Sequence, residues 1–454
     1  MVQIQITSQF IGRLVSLIES RDEAQILELI GDLHPVDLAE IFEEISPIRA
    51  KYLYTLLDEE KAAEVVAFLD EDVREKFLSQ LTSKEIAENF VENLDSDDAA
   101  DIIGELSEER QREVLSEIDD IEIASDIVDL LKYDEDTAGG LMAKELVKVN
   151  VNWSRDKVID EVRLQSHEVD NVYTVYVVDD NDVLLGILPL KKLLIEPEIV
   201  RIEDMYHDKI QFAVVHQSAE EAASMMKKYD LVVLPVVDEI GRLVGRITID
   251  DVVDVLQEEA EKDYQLMSGL SGSVESDDTI WVLTRARMPW LLVGLIGGIV
   301  GSQIISVYED QIKIHPEMAY FIPLIAAMGG NAGVQSSAII VQGLANNTLK
   351  KGDALLKFFK ELSVGLLNGI VCASVIMLYN IVFSNHMGIA ITVSVAMLTV
   401  IVVASIMGTF IPLTLHRFKI DPALATGPFI TTMNDITGMF IYFLIGRMMY
   451  EMFV

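Results

Sequence analysis

Cysteine is almost absent: Cys372 is the only one in 454 residues, and it falls in an apolar run. That excludes a disulfide framework and a thiolate metal site. The seven histidines are scattered, with none at the spacing of a zinc motif. No phosphate-cradling glycine loop and no Ser/His/Asp arrangement stands in a convincing context, so an enzyme is not expected. The first residues, Met-Val-Gln-Ile-Gln-Ile-Thr-Ser, have neither the basic start nor the apolar segment of a secretory signal. The front of the chain is therefore expected to stay in the cytosol. Basic residues are the other deficit, 35 Lys/Arg against 74 Asp/Glu. Such a surface repels nucleic acid and anionic lipid heads and attracts counter-cations.

Charge is split along the chain. From Arg285 onward there are ten Lys/Arg and eight Asp/Glu, net +2, which leaves residues 1–284 at −41. An acidic soluble body therefore precedes an apolar membrane body, and the length allows two or three domains. Within 1–132, Leu33, Ile45, Leu57, Leu69, Leu81, Leu94, Leu106 and Ile118 recur at spacings of 12 or 13. Ser46, Asp58, Asp70, Thr82, Asp95 and Ser107 each follow one of them. A capping residue, then apolar groups three and four apart, describes a short helix each time, stacked into an all-α superhelical array. Most of its acids read as a solvated face. Asp95, Asp97, Asp98 and Asp101 are denser than a helix needs, and Asp97 and Asp101, one turn apart, could jointly hold a cation.

Residues 133–256 carry two matching stretches, Val-Tyr-Thr-Val-Tyr-Val-Val-Asp179 before Gly186 and Leu-Val-Val-Leu-Pro-Val-Val-Asp238 before Gly245. Each reads as strand, turn, strand and helix (191–194; 250–256), preceded by helical stretches 157–165 and 219–227. This α/β tandem resembles a pair of cystathionine-β-synthase (CBS) modules, which in many proteins sense adenine nucleotides such as ATP. In those modules a Thr/Ser followed three residues later by Asp holds the ribose. The second copy keeps this pair as Thr248 and Asp251, whereas the first has Pro189 and Lys192. At most one ordinary nucleotide site is expected, with Thr248, Asp251 and Tyr173 as contacts. Dimerisation without nucleotide is the competing reading. Residues 252–280 are expected to continue as an acidic helix leading into the membrane, with 257–284 forming the connector. Asp254, Glu258, Glu259, Glu261 and Asp263 crowd it, some one turn apart, where like charges destabilise a helix and cations would tighten it. Gly269, Ser271, Gly272 and Ser273 then loosen the chain.

Five apolar runs occupy 285–454, at about 288–308, 318–345, 362–383, 389–415 and 422–453, each with the ~20 residues a span needs. Arg285, Arg287, Lys350, Lys351, Lys357, Lys360, Arg417 and Lys419 fall on the side of the acidic half, against Lys313 and Arg447 opposite. The N-terminus is thus expected in the cytosol and the C-terminus outside a multi-pass cell-membrane protein. The last run contains Asp435. An acid at the centre of a span costs ~2.5–3.5 kcal/mol on an insertion scale and marks a functional site by default. Thr431, Asp435 and Gly438 share a helix face, with Pro428 and Thr432 near it. Oxygen-only surroundings suit a hard cation, Mg²⁺ or Ca²⁺; helix–helix adhesion is the plainer alternative. In the second run, Met328-Gly-Gly-Asn-Ala-Gly-Val-Gln-Ser-Ser337 contains Gly330 and Asn331. Its three glycines are expected to weaken the helix and free carbonyls toward the same aqueous path, close packing being the alternative. Five helices are few for a private pore, so two subunits on one axis would line it better.

The order of helical array, CBS pair, acidic helix and five spans resembles the MgtE family of Mg²⁺ channels/transporters over nearly the whole chain. The local matches are Tyr133-Asp-Glu-Asp-Thr-Ala-Gly-Gly-Leu-Met142, Gly329-Gly-Asn-Ala-Gly333, Asp421-Pro-Ala and Pro428-x-x-Thr-Thr-x-x-Asp435-x-x-Gly438. The resemblance implies a homodimer in the lipid bilayer with a central Mg²⁺ path, Asp435 as its pore acid and Asn331 in its polar second-span motif. It also implies that cytosolic Mg²⁺, bound between array, CBS pair and connecting ("plug") helix, closes the pore. The corresponding sensor acids are Asp97, Asp101, Asp230, Asp251, Asp254, Glu259 and Asp263, with Asp421 near the membrane face. Val334 replaces the Asn usual after the second-span glycine, and Lys262 stands amid the plug acids. Broader traffic in Mn²⁺ or Co²⁺, or a membrane-tethered nucleotide sensor without transport, are the rival readings.

Overall fold

The computed structural model describes residues 6–167, 169, 171–197, 200–272, 274–275, 278–345, 354–383 and 387–453; Ser273, Lys350 and Lys351 lie outside them. The chain divides into two compact units, 1–256 and 257–454. The first opens with ten short helices: α1 (Ser8–Ser20), α2 (Glu23–Ile30), α3 (Pro35–Glu43), α4 (Pro47–Tyr54), α5 (Glu59–Ala67), α6 (Glu71–Leu78), α7 (Ser83–Asn89), α8 (Ser96–Gly104), α9 (Glu108–Glu117) and α10 (Ile121–Leu130). The twelve-residue repeat sets their starts. Ser46, Asp58, Asp70, Thr82, Asp95 and Ser107 are the N-cap residues of α4 to α9. Asp58 and Thr82 close their caps with side-chain bonds, Thr82 reciprocally with Glu85.

Packing runs between alternate helices, α3 on α5, α4 on α6, α5 on α7, α7 on α9 and α8 on α10, which winds the array. Cations fasten successive turns at helix ends whose carbonyls would otherwise be orphaned. Lys61 donates to the Gly31 carbonyl (2.8 Å), Lys51 to that of Gln80 (2.7 Å), and Arg110 to those of Leu78 (2.8 Å) and Leu81 (2.6 Å). Phe42, Tyr54, Phe77 and Phe90 fill the centre.

Two small α/β modules follow. The first has β1 (Lys148–Asn150), α11 (Arg155–Gln165), β2 (Val175–Val178), β3 (Leu184–Leu188) and α12 (Leu190–Ile195). The second has β4 (Ala213–Val214), α13 (Ala219–Tyr229), β5 (Val233–Val237), β6 (Leu243–Thr248) and α14 (Ile249–Met267). In each sheet the first strand pairs parallel with the second, and the second antiparallel with the third. The acidic helix is shorter than expected: α14 ends at Met267. Gly269, at φ +80°, turns the chain, and the Gln265 side chain bridges both the N–H and the carbonyl of Val274 at 3.0 Å.

The second unit contains α15 (Ile280–Val307), α16 (Glu309–Ile314), α17 (Ile322–Ala345), α18 (Ala354–Phe383), α19 (Met387–Arg417) and α20 (Pro428–Phe453). Five helical stretches are long and apolar enough to cross a bilayer. α19 is the most enclosed, with Val393, Ala396, Met397, Val400, Ile401 and Ala404 buried. It packs on α17, α18 and α20, while α15 packs on α20. α15 and α18 leave apolar outer faces, Leu295 and Ile296 on one and Leu367 and Val375 on the other, suited to lipid.

The expected unwinding at Met328–Ser337 does not occur, because α17 is continuous there. Its glycines admit close neighbours instead. A methyl on Gly329 would lie 3.0 Å from Val400 Cγ1, one on Gly333 would collide with the Asn434 amide, and Gly408 backs onto the Gly333 carbonyl. Close approach repays the glycines' poor helix propensity.

Candidate metal sites and ion path

On the membrane side, α20 presents Asp435, which is half-buried. A methyl on Gly330 would sit 3.4 Å from Asp435 Oδ1 and 3.2 Å from Thr431 Cγ2, so the bare glycine of α17 leaves that room to the acid. Thr431 Oγ1 donates to the Gly427 carbonyl (2.9 Å), which orients its lone pairs. Asn331, next to Gly330, is exposed. Thr432 and Gly438 make other contacts: the Thr432 methyl rests on Gly297 of α15, and Gly438 faces Val400 of α19. Asp421 is exposed and caps a short turn, accepting from the Ala423 N–H at 2.7 Å.

Two polar side chains in this unit escaped sequence reasoning. Glu361 of α18 is only 8% exposed and accepts a hydrogen bond from Ser336 Oγ at 3.0 Å. The apolar run in the sequence starts at 362, one residue past it, and an acid bordering a span is itself the signal. Asn434, beside Asp435, is 2% exposed, and its Nδ2 has no partner among the described residues.

In the first unit the acids gather where α8 begins. Carboxylate oxygens of Asp95, Asp97 and Glu145 lie within 4.8 Å of one another. Asp95 holds the N-cap position of α8 without a side-chain cap bond. Glu145 is fixed by Ser96, which donates from its N–H (3.1 Å) and Oγ (2.8 Å). Three clustered carboxylates offer the hard oxygen donors a divalent cation prefers. Asp97 belongs to the cluster; Asp101 and Asp230 do not. Desolvation, then the charges of Asp98, Asp251 and Asp95, holds Asp97 well above the carboxylate range. Desolvation with Asp251 nearby pushes Asp98 up to about 6, and desolvation with Asp98 and Glu135 nearby pushes Asp101 up to about 7, although both side chains reach solvent.

At the start of α14, Asp251 accepts from the Thr248 N–H (3.2 Å) and Oγ1 (2.7 Å), and Thr248 also donates to Asp250. Burial raises Asp251 and Asp254, the first against these bonds, with Asp250 adding to both. Tyr173 is exposed two residues from Asn171, whose carbonyl accepts from Arg246 Nη1 (3.2 Å). In the first module, Lys192 Nζ donates to the Met205 carbonyl (2.9 Å), a structural use of the position that carries Asp in a nucleotide-binding copy. Asp230 is exposed, in a left-handed conformation at the end of α13. Glu259 is paired with Lys262 at 3.0 Å. Asp263 is half-buried on the same helix.

Three family descriptions match: the MgtE intracellular N domain over 33–136, a CBS domain over 202–258, and MgtE, divalent cation transporter, over 322–445. The magnesium transporter MgtE of Thermus thermophilus is 31% identical over 96% of this chain and 98% of its own length. That of Bacillus subtilis is 30% identical over 98% of each. The chain belongs to the MgtE family of magnesium transporters. Among solved structures, the cytosolic domain of the Mg²⁺ channel MgtE in complex with ATP is 33% identical, covering 53% of this chain and 99% of that one, at a TM-score of 0.49. The CBS match covers only the second module, the copy that keeps Thr248 and Asp251.

Proposed function

We propose that this protein lets Mg²⁺ into the cytosol along a path bordered by Asp435, and that cytosolic Mg²⁺ closes the path by binding the acidic soluble body. The observation that carries the reading is the half-buried Asp435 facing Gly330, an acid with no side chain opposite it and no cation paired to it among the described residues. Mg²⁺ sheds water reluctantly and touches few carboxylates, so one acid per protomer with hydroxyls and carbonyls suits a largely hydrated ion. Asn331 is exposed on a single protomer, and a polar amide at membrane depth needs a polar neighbour. A second copy across a two-fold axis supplies one, which is why we read the working form as a homodimer with the soluble unit in the cytosol and the C-terminus outside.

Entry needs no ATP hydrolysis, since a divalent ion gains ~4.6 kcal/mol across 100 mV inside-negative, at ~2.3 kcal/mol per charge. Closure follows if Mg²⁺ binds the closed state more tightly, drawing together carboxylates that repel in its absence. Asp97, Asp101, Asp230, Asp251, Asp254, Glu259, Asp263 and Asp421 are the acids assigned to this control, and Glu145 and Asp95 join Asp97 in it. ATP, if bound, contacts Thr248, Asp251 and Tyr173. Flux into liposomes tests the reading: Asp435→Ala abolishes Mg²⁺ entry, and raising Mg²⁺ on the cytosolic face slows the wild type. Wild-type flux from Asp435→Ala refutes the path. Equal rates for Mn²⁺ or Co²⁺ would broaden the cargo.

A further inference from the structure

Resting on the transport reading, we infer that Glu361 is a positioning residue for the ion path: by holding Ser336 it fixes the rotation of α17, and with it the Gly330 wall opposite Asp435. Glu361 and Ser336 are 8% and 5% exposed, and their 3.0 Å bond ties α18 to α17. No cation pairs with Glu361 among the described residues. The surroundings leave the pair little freedom. A methyl on Gly365, one turn along α18 from Glu361, would lie 3.0 Å from Ser405 Cβ, and one on Gly408 would lie 3.1 Å from Ser336 Cβ. Three helices therefore meet at van der Waals distance around one buried hydrogen bond.

Ser336 stands six residues from Gly330, about 9 Å along α17 and about 120° around it. One face of α17 is thus anchored to α18, while the other faces Asp435. A turn of α17 about its axis moves both together, so loosening the anchor moves the wall of the path.

The test uses the full-length protein in liposomes and detergent. Glu361→Ala and Ser336→Ala are each expected to change the Mg²⁺/Co²⁺ uptake ratio by roughly two- to thirty-fold, the range seen for mutations that act through a coupled network. Their thermal-unfolding shifts should be non-additive in the double variant. Glu361→Gln, which keeps an acceptor, should restore most of the wild-type ratio. Loss of flux in Glu361→Gln with an unaffected Ser336→Ala would overturn the inference, because the charge would then act on the ion directly. Additive melting shifts would overturn it as well, and they are read without transport. The latch can therefore fail while the assignment of Asp435, tested by Asp435→Ala, stands.

Discussion

Replacing Asp97 by Asn should make the cation-free protein more stable and its Mg²⁺ complex less favoured. Asp97 lies within 4.8 Å of oxygens on both Asp95 and Glu145. Each such repulsion is about 0.9 kcal/mol at a dielectric constant of 80 and about 3.5 at 20. Two together give roughly 2–7 kcal/mol if all three groups are ionised. Burial and the neighbouring acids favour the neutral form of Asp97, which takes the gain to the low end, and loss of an acid from the first turn of α8 removes up to about 1 kcal/mol. A net gain of about 1–2 kcal/mol raises the melting point of a unit this size by roughly 2–8 °C. Mg²⁺ at a hundred times its dissociation constant should stabilise the wild type by about 2.7 kcal/mol and cancel the variant's lead. Trp153 reports on this unit once Trp281 and Trp290, which lie in the other, are replaced by Phe. If Asp97→Asn melts lower without divalent ions, or if Mg²⁺ lifts both proteins equally, the cluster is not a cation site.

The raised pKa values of Asp98, about 6, and Asp101, about 7, fix a pH dependence. Both are ~3.9 in the unfolded chain, so the folded protein holds extra protons between about pH 4 and 7. Cation-free stability therefore falls as pH rises through that window, while Mg²⁺ binding nearby, favoured by the negative charge these acids then carry, strengthens. Hydrogen exchange of α8 near pH 5.5 and near pH 8 checks this, and a larger Mg²⁺ effect at the acid end would contradict it. Arg74→Ala should cost about 3 kcal/mol in thermal unfolding, because Arg74 and Glu105 are paired at 15% exposure each and Arg74 also donates to the Ala67 carbonyl. Gly408→Ala sets a methyl against the Gly333 backbone carbonyl, which cannot swing away, and should cost about 1–3 kcal/mol. Gly294→Ala meets nothing within 4 Å, so its melt should be unchanged or slightly raised by helix propensity.

Periodicity and capping chemistry are local, and they located α4 to α9 at the right residues. What Asp95 does was not local. Its position reads as a cap, yet it makes no cap bond and clusters with Glu145, fifty residues away. Only the fold brings Glu145 there, through Ser96. The glycines of α17 carried two readings that a linear sequence cannot separate, since broken backbone and tight packing use the same residue. Val400, Asn434 and Gly408 fill the space, and that decides for packing. Thr432 shows the limit of helix-face arithmetic: its neighbours across the helix gap turn it toward α15.

The two membrane acids illustrate why burial, more than identity, assigns a role. A hydrated Mg²⁺ can meet only a carboxylate that water can reach. Asp435 is half-buried and faces a residue without a side chain, so in the proposed path it is the acid that meets water and ion. Glu361 is 8% exposed, bonded to Ser336 and hemmed in by Gly365 against Ser405 and Gly408 against Ser336. An ion could reach it only after α17, α18 and α19 separate, against close packing along all three. In the proposed path, then, Asp435 is the acid that touches the cargo, and Glu361 the one that holds α17 still beside it.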